Sequence, residues 1–321
     1  MTFKIDVCFA SDDNYTQHLA VVIASILKNS SENSKFHFHI LDGGIRDKNK
    51  QKLLKLQSIK PFNYNFYDMS KFDFSQLPLN RDYISVATYY RLFILDILPE
   101  SIEKLIYLDC DVVVKEDLKK LYDINIDNYL AGVVEDEGSI SQIHRLRLPL
   151  ENNYFNAGVI VFNLKELRKY YFKEKCFDYY TKNQDSITLQ DQDILNGVFN
   201  GKCKFIPLCW NANGRLFRFN ELEHHYTEKD EIIARSNPAI IHYTDVEKPW
   251  KVKCNHPLQL EYFKYKWFTP YRWKCVVDVF SYKLIQNIFS IKNKSTKDKK
   301  IKILTILGLK IKFKIGDKNH G

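Results

Sequence analysis

Short apolar runs rich in β-branched residues alternate along this chain with longer stretches of helical periodicity, and that alternation is what most restricts its fold. Residues 5–10 (IDVCFA) read as a buried strand, followed by the polar turn Ser11, Asp12, Asp13 and Asn14 and a helical pattern over 15–27. The order then recurs. Residues 36–41 alternate like a strand and end at Asp42-Gly43-Gly44; 48–59 look helical and stop before Pro61; 63–67 form a third strand candidate. Further on, 88–98 predict a helix ending at Pro99, and 104–108, 130–134, 158–162 and 238–242 predict strands. A helix beginning near Leu164 and another over 190–199 lie among them. Such alternation predicts an α/β architecture with a mainly parallel sheet. With 321 residues, 45% of them hydrophobic, the chain can bury the core of one large domain or two modest ones.

Charge is distributed unevenly. Residues 281–321 hold eleven lysines and no arginine against two aspartates, which is the whole of the chain's net charge of +9. A nucleic-acid binder with a basic face would not look like this, and base readout commonly uses Arg. One basic tail predicts a local anionic partner such as a membrane surface. Ahead of it, residues 256–273 are rich in aromatics, with Trp267, Tyr271 and Trp273 placed as at a membrane interface. Residues 276–291 carry an amphipathic helical pattern, 295–300 a polar break, and 309–315 an apolar/Lys alternation. The change near residue 255 divides the chain into a catalytic unit, 1–255, and a C-terminal attachment segment, 256–321. The seven cysteines (Cys8, Cys110, Cys176, Cys203, Cys209, Cys254 and Cys275) include no CxxC pair, which predicts free thiols in a reducing compartment. No signal-peptide pattern and no membrane-length apolar run is visible, so the expectation is a cytoplasmic protein.

The chemistry-bearing residues lie at predicted strand ends. Asp109-Cys110-Asp111 follows a strand directly, and carboxylates at i and i+2 suit one hard cation, Mn²⁺ or Mg²⁺. The triplet alone says little, because Asp191-Gln192-Asp193 repeats it. Its setting says more. In LIYLDCDVVV the two carboxylates are flanked by apolar chain, and their repulsion calls for a cation or hydrogen-bond donors. His242, at the end of the late strand, is a candidate third ligand; Lys248, six residues on, is a candidate phosphate contact; His224-His225 is a competing ligand pair. Ala10, Asp12 and Asn14 follow the first strand, where an α/β sheet binds ligands, although Asp12 or Asp13 equally suits a helix cap. No glycine-rich fingerprint of dinucleotide or P-loop enzymes occurs.

Six stretches now stand in order: FASDDNY, TYYRLFILDILP, IYLDCDVVV, YFNAGVIVFNL, LQDQDILN and HYTDVEKPW. In these the chain resembles glycosyltransferase family 8, in particular the bacterial lipopolysaccharide galactosyl- and glucosyltransferases, over about residues 5–250. The resemblance implies a GT-A fold, a Mn²⁺ cofactor, a UDP-hexose donor, a glycan or glycolipid acceptor, and retention of anomeric configuration. By motif it implies Asp109, Asp111 and His242 as metal ligands, and Ala10, Asp12, Asn14 and Lys248 as nucleotide and diphosphate contacts. Arg91, Asn156, Ala157, Asp191 and Gln192 become donor-sugar contacts, with Gln192 and Asp191 nearest the reacting carbon. One departure stands out: Asp245 replaces the family's usual Gly, adding bulk and negative charge near the phosphates. Two other activities fit the same fold: a self-glycosylating protein resembling glycogenin, and a non-catalytic UDP-sugar binder.

Overall fold

The computed structural model describes residues 3–75, 77, 85–218, 223–244, 246–274, 279–281, 284, 289–296, 299–306 and 309–314. Its centre is a seven-stranded mixed sheet built from β1 (Phe3–Ser11), β2 (Ser34–Asp42), β3 (Asn63–Asp68), β4 (Lys104–Leu108), β6 (Ala131–Glu135), β7 (Phe155–Asn163) and β8 (Cys203–Phe205), in the order β3-β2-β1-β4-β7-β6-β8. All its pairings are parallel except those of β7 with β4 and β6. A smaller sheet orders β5 (Val112–Val114), β10 (Ile240–His242) and β9 (Ala212–Asn213) as β5-β10-β9. In the basic tail, β11 (Phe289–Thr296), β12 (Lys299–Ile306) and β13 (Leu309–Lys314) pair as an antiparallel meander.

The alternation of β1 explains the two-layered core. Ile5, Val7 and Phe9 join one cluster with Leu19, Ala20 and Ile23 of α1 (Thr16–Lys28), while Cys8 points into the opposite cluster with Tyr107 and Phe162. Every residue of α1 from Thr16 to Leu27 is buried, as expected of a helix that is apolar nearly all round. Its outer side is covered by the Gln259–Lys266 helix. Nδ1 of His18 lies 2.7 Å from the Tyr262 hydroxyl, and Asn29 donates to the Tyr265 hydroxyl at 2.8 Å. The chain order reverses between β1 and β4, so a crevice opens beyond their carboxyl ends, where such sheets bind ligands.

Several elements differ from sequence expectation. The segment 88–98 is mostly 3₁₀ helix (Val86–Phe93), with one α-turn at Ile94–Ile97. A 3₁₀ turn aligns i and i+3, which puts Thr88 and Arg91 on one line. The helix near 164 is two helices, Leu164–Lys169 and Phe172–Asn183, broken where Tyr171 takes φ 53°. Strands β5, β8 and β9 have two or three residues, too few for periodicity to register. Of the helix expected over 276–291, residues 279–281 and 284 are helical, but Phe289 already begins β11; 276–278, 282–283 and 285–288 lie outside the described residues. Tyr271, expected at a membrane interface, is instead buried and donates to Asn49 at 3.0 Å, while Trp267 and Trp273 are exposed. Six cysteines are free thiols; Cys275 and Asp245 lie outside the described residues.

Candidate active site

Leu108 ends β4, and the chain turns through Asp109-Cys110-Asp111 into β5. Antiparallel pairing of β5 with β10 sets His242 opposite Val112, and the Tyr243 N–H donates to the Asp111 carbonyl at 3.0 Å. This ladder carries the imidazole to the two carboxylates across 130 residues of sequence. One ligand atom from each of Asp109, Asp111 and His242 lies within 4.8 Å of the others. Nε2 of His242 is 3.2 Å from Asp111 Oδ1 and 3.9 Å from Asp109 Oδ2. Its Nδ1 is 2.8 Å from Asn211 Oδ1, and Asn211 in turn donates to Asn156 Oδ1 at 3.0 Å. Asn211 therefore presents an acceptor to Nδ1, which fixes the ring with Nε2 turned toward the carboxylates. Two carboxylates and one oriented imidazole fit a divalent cation. Burial alone would raise the Asp111 carboxyl, but the Lys248 ammonium beside it holds it well below the usual carboxylate range.

A register shift in β7 admits this cluster. Val133 of β6 faces Ile160, yet Val134 faces Asn156, so residues 157–159 bulge from the ladder. The Asp109 N–H donates to the Gly158 carbonyl at 2.9 Å, closing the bulge on the acidic turn. A Cβ at Gly158 would stand 2.8 Å from Asp109 Oδ2 and 2.9 Å from His242 Nδ1, closer than side chains tolerate. Only glycine fits between them.

Arg91 joins the acidic turn to the second triplet. Its buried guanidinium sits 2.6 Å from Asp109 Oδ1 and 3.1 Å from Asp191 Oδ2, donates to the Ala157 carbonyl, and lies over the Tyr107 ring at 4.1 Å. Thr88, one 3₁₀ turn earlier, donates to the other Asp191 oxygen. Burial pushes the Asp191 carboxyl up to about 6 despite Arg91 and Thr88. The Ala157 N–H donates to Gln192 Oε1 at 3.0 Å, which fixes that amide.

These groups line one cavity of about 450 Å³. Ala10, Asp12, Arg91, Asp109, Asp111, Asn156, Ala157, Asp191, Gln192, His242 and Lys248 all reach it. Asn14 does not: it is exposed and lines a neighbouring cavity with Arg46 and Lys48. Asp12 serves both readings, accepting from the Tyr15 N–H at 2.9 Å while facing the cavity. Lys248 donates to Asp111 Oδ2 at 2.6 Å and to the Tyr243 carbonyl at 2.7 Å. Its segment is anchored by Trp250, stacked on His18 with centroids 3.4 Å apart. The pair His224-His225 does not enter the cavity; Glu231 lies 3.3 Å from His224, and Glu135 lies 2.6 Å from His225.

Sequence reasoning missed Asn211, Asp136 and Glu137. Asn156 donates to Asp136 at 3.2 Å, and Asn213 donates to the buried Glu137. Burial and the neighbouring Asp136 push the Glu137 carboxyl well above its usual range. Glu135-Asp136-Glu137 follows a predicted strand as the other site residues do, and that position was the available signal. Asn211 leaves none.

Comparison with known proteins agrees with this geometry. The family model described as Glycosyl transferase family 8 matches residues 6–254. The chain is 30% identical over 272 residues to General stress protein A of Bacillus subtilis, covering 83% of this chain and 93% of that one. It is 30% identical over 264 residues to a lipopolysaccharide 1,2-glucosyltransferase of Escherichia coli, covering 81% and 76%. Among solved structures, the galactosyltransferase LgtC with donor and acceptor sugar analogues superposes with a TM-score of 0.74 at 28% identity, covering 83% of this chain and 96% of LgtC.

Proposed function

Because this chain belongs to glycosyl transferase family 8, we propose that it transfers galactose or glucose from a UDP-sugar to a glycan or glycolipid, with retention of configuration. The observation that carries the reading is the convergence of Asp109, Asp111 and His242, drawn from two distant strands, beside the Arg91–Asp191 pair in one cavity.

Asp109, Asp111 and His242 would hold Mn²⁺ or Mg²⁺. When bound, such a cation offsets the negative charge that gathers on the departing diphosphate. Ala10 near the end of β1 and Asp12 just after it would contact the nucleoside. Lys248 lies in the same cavity and brings a positive charge to the phosphates. Asn156, Ala157 and Arg91 border the space left for the hexose, and holding it there lowers the barrier by positioning. Asp191 accepts from Thr88 through one oxygen and ion-pairs with Arg91 through the other at 3.1 Å, and Gln192, a poor nucleophile, is held by the Ala157 N–H. That arrangement favours same-face attack by the acceptor over a covalent sugar–enzyme intermediate.

Residues 1–255 are the proposed catalytic unit and 256–321 the attachment segment. Among the described residues no helix is long and apolar enough to cross a membrane. Trp267 and Trp273 are exposed with ring centroids 5.1 Å apart, and Ile291, Leu309 and Ile311 are exposed in a lysine-rich stretch. These features support peripheral docking on anionic lipid at the cytoplasmic face of the inner membrane, where a lipopolysaccharide-type acceptor is presented.

The direct test is UDP release from a panel of UDP-sugars with Mn²⁺, with EDTA, and with Asp109→Ala. Metal-dependent hydrolysis of one UDP-hexose, lost in the variant, is the expected result. Binding of UDP without turnover across donors and acceptors would favour the non-catalytic alternative. A mass increase on incubation with donor alone would favour self-glycosylation.

A further inference from the structure

A second cluster of metal-ligating side chains lies on the same sheet, away from the cavity. Asp6 of β1 pairs with His37 of β2, and Cys8 pairs with His39, so Asp6, His37 and His39 share one face of the two strands. Cys8 and Leu41 continue that face into the apolar core. Asp6 precedes Ala10 by four strand residues, which places it roughly 13 Å from the ligand-binding end. None of the three borders the cavity described above.

The three side chains converge. One ligand atom from each lies within 4.8 Å of the others. Asp6 Oδ1 is 2.9 Å from His39 Nε2 and 3.6 Å from His37 Nδ1. A tetrahedral Zn²⁺ with bonds near 2.05 Å needs ligand atoms about 3.3 Å apart, so small shifts suffice. Each imidazole is also held from behind. His37 Nε2 is 2.6 Å from Asn65 Oδ1, and His39 Nδ1 is 3.0 Å from the Tyr67 hydroxyl, both from β3. Outer partners of this kind orient the imidazoles of metal centres.

The hydrogen bonds turn one imidazole lone pair toward the carboxylate. In the neutral tautomer whose Nε2–H donates to Asn65 Oδ1, the Nδ1 lone pair of His37 faces the Asp6 carboxylate at 3.6 Å. Two acceptors then oppose each other in a largely buried place. The nearest positive charge is Lys4, whose ammonium is 3.2 Å from Asp6 Oδ1 on a side chain that is 59% exposed. Lys4 can swing into solvent and leave its place to a cation.

We propose that Asp6, His37 and His39 form a second metal site, selective for Zn²⁺ or a similar transition-metal ion, which fastens β1 to β2 at the sheet end opposite the reaction cavity. His37 ligates through Nδ1, His39 through Nε2 and Asp6 through Oδ1, with water completing the tetrahedron. For this His39 moves its proton from Nε2 to Nδ1, where the Tyr67 oxygen accepts it, and no net proton is released. Two imidazoles and one carboxylate favour Zn²⁺ over the Mg²⁺ or Mn²⁺ suited to a carboxylate-rich site.

The experiment is Zn²⁺ titration of the full chain carrying Asp109→Ala and Asp111→Ala, with the same background plus His37→Ala for comparison. The expected result is one tight equivalent in the background, weakened at least thirty-fold by His37→Ala. Co²⁺ at this site should show the visible absorption of a four-coordinate ion, absent from the His37 variant. Asn65→Ala keeps all three ligands and should weaken binding about ten-fold by releasing one ring. Circular dichroism establishes that each variant is folded. No Zn²⁺ bound by the background chain, or equal binding with and without His37, overturns the proposal.

Discussion

Gly158 and His242 are in contact only because Gly158 has no side chain: a methyl group there would overlap the imidazole Cε1 and press on Asp109. Gly158→Ala should therefore keep the fold, at about 1–3 kcal/mol of overpacking cost, while displacing the imidazole. The expected outcome is a fall in donor hydrolysis of roughly a hundred-fold, with near-native circular dichroism. Wild-type turnover in this variant would mean that His242 is not a ligand.

Asn211 should matter without touching substrate. Asn211→Leu removes the acceptor that fixes His242 Nδ1, and leaves Asn156 one donor short. Loss of such an outer partner commonly costs about 10–100-fold in metal affinity. Titrating activity against Mn²⁺ should show that rise in the half-saturating concentration, with a smaller change at saturating metal.

The two Asp-x-Asp triplets should separate in a paired experiment. Asp193 is fully buried, accepts from Arg145 at 2.6 and 3.0 Å and from the Tyr154 hydroxyl at 2.6 Å, and holds the Thr188 and Leu189 N–H groups at 2.7 Å. Asp193→Ala leaves these donors unpaired and should cost about 3 kcal/mol or more. Asp109→Ala should instead abolish turnover with a smaller change in thermal midpoint. Equal midpoints for the two variants would contradict this division.

Asp191 ties activity to pH. Its carboxyl is pushed up to about 6 by burial, with Arg91 and Thr88 acting against that rise, and its ionised form is the one that holds Arg91. Turnover should therefore increase as pH rises through about 6, and Asp191→Asn should lose that limb. Stability should run the other way. The folded value lies above the ordinary 3.8, so the folded chain binds more protons than the unfolded chain between about 4 and 6. The stability contributed by Asp191 is then complete below about 4 and declines as pH rises through 6. Denaturant midpoints of wild type and Asp191→Asn across that window measure the difference.

The tail prediction is separable from catalysis. Deleting residues 281–321 should abolish binding to anionic vesicles while leaving donor hydrolysis in solution within about two-fold. Lysines near such a surface contribute about 1 kcal/mol each, so binding by the full chain should fall steeply with added salt. Unchanged vesicle binding after the deletion would rule out the tail as the anchor.

Much of the framework was legible because its causes are local. The apolar run of β1 and the turn after it, the strand that delivers Asp109 and Asp111, and the all-round apolar pattern of α1 depend on neighbours within a few residues. Strand and helix periods expose such neighbours directly. The family resemblance added the site set, and most of those residues do line one cavity. Asn14 shows where motif position and placement diverge: two residues past Asp12 the turn has already carried it outside. The partners of the site residues were legible nowhere. That Asn211 orders His242, that Arg91 bridges Asp109 and Asp191, and that a bulge opens β7 at Gly158 all follow from contacts between distant segments. Buried polar groups have no periodic signature, and each takes its meaning from whatever acceptor or donor the packing brings to it. The longer strands along the chain, the turn residues and the candidate ligands were thus decided by sequence alone, whereas tertiary structure decided the strand order in the sheets and which ligands meet, because register across the sheets sets those distances.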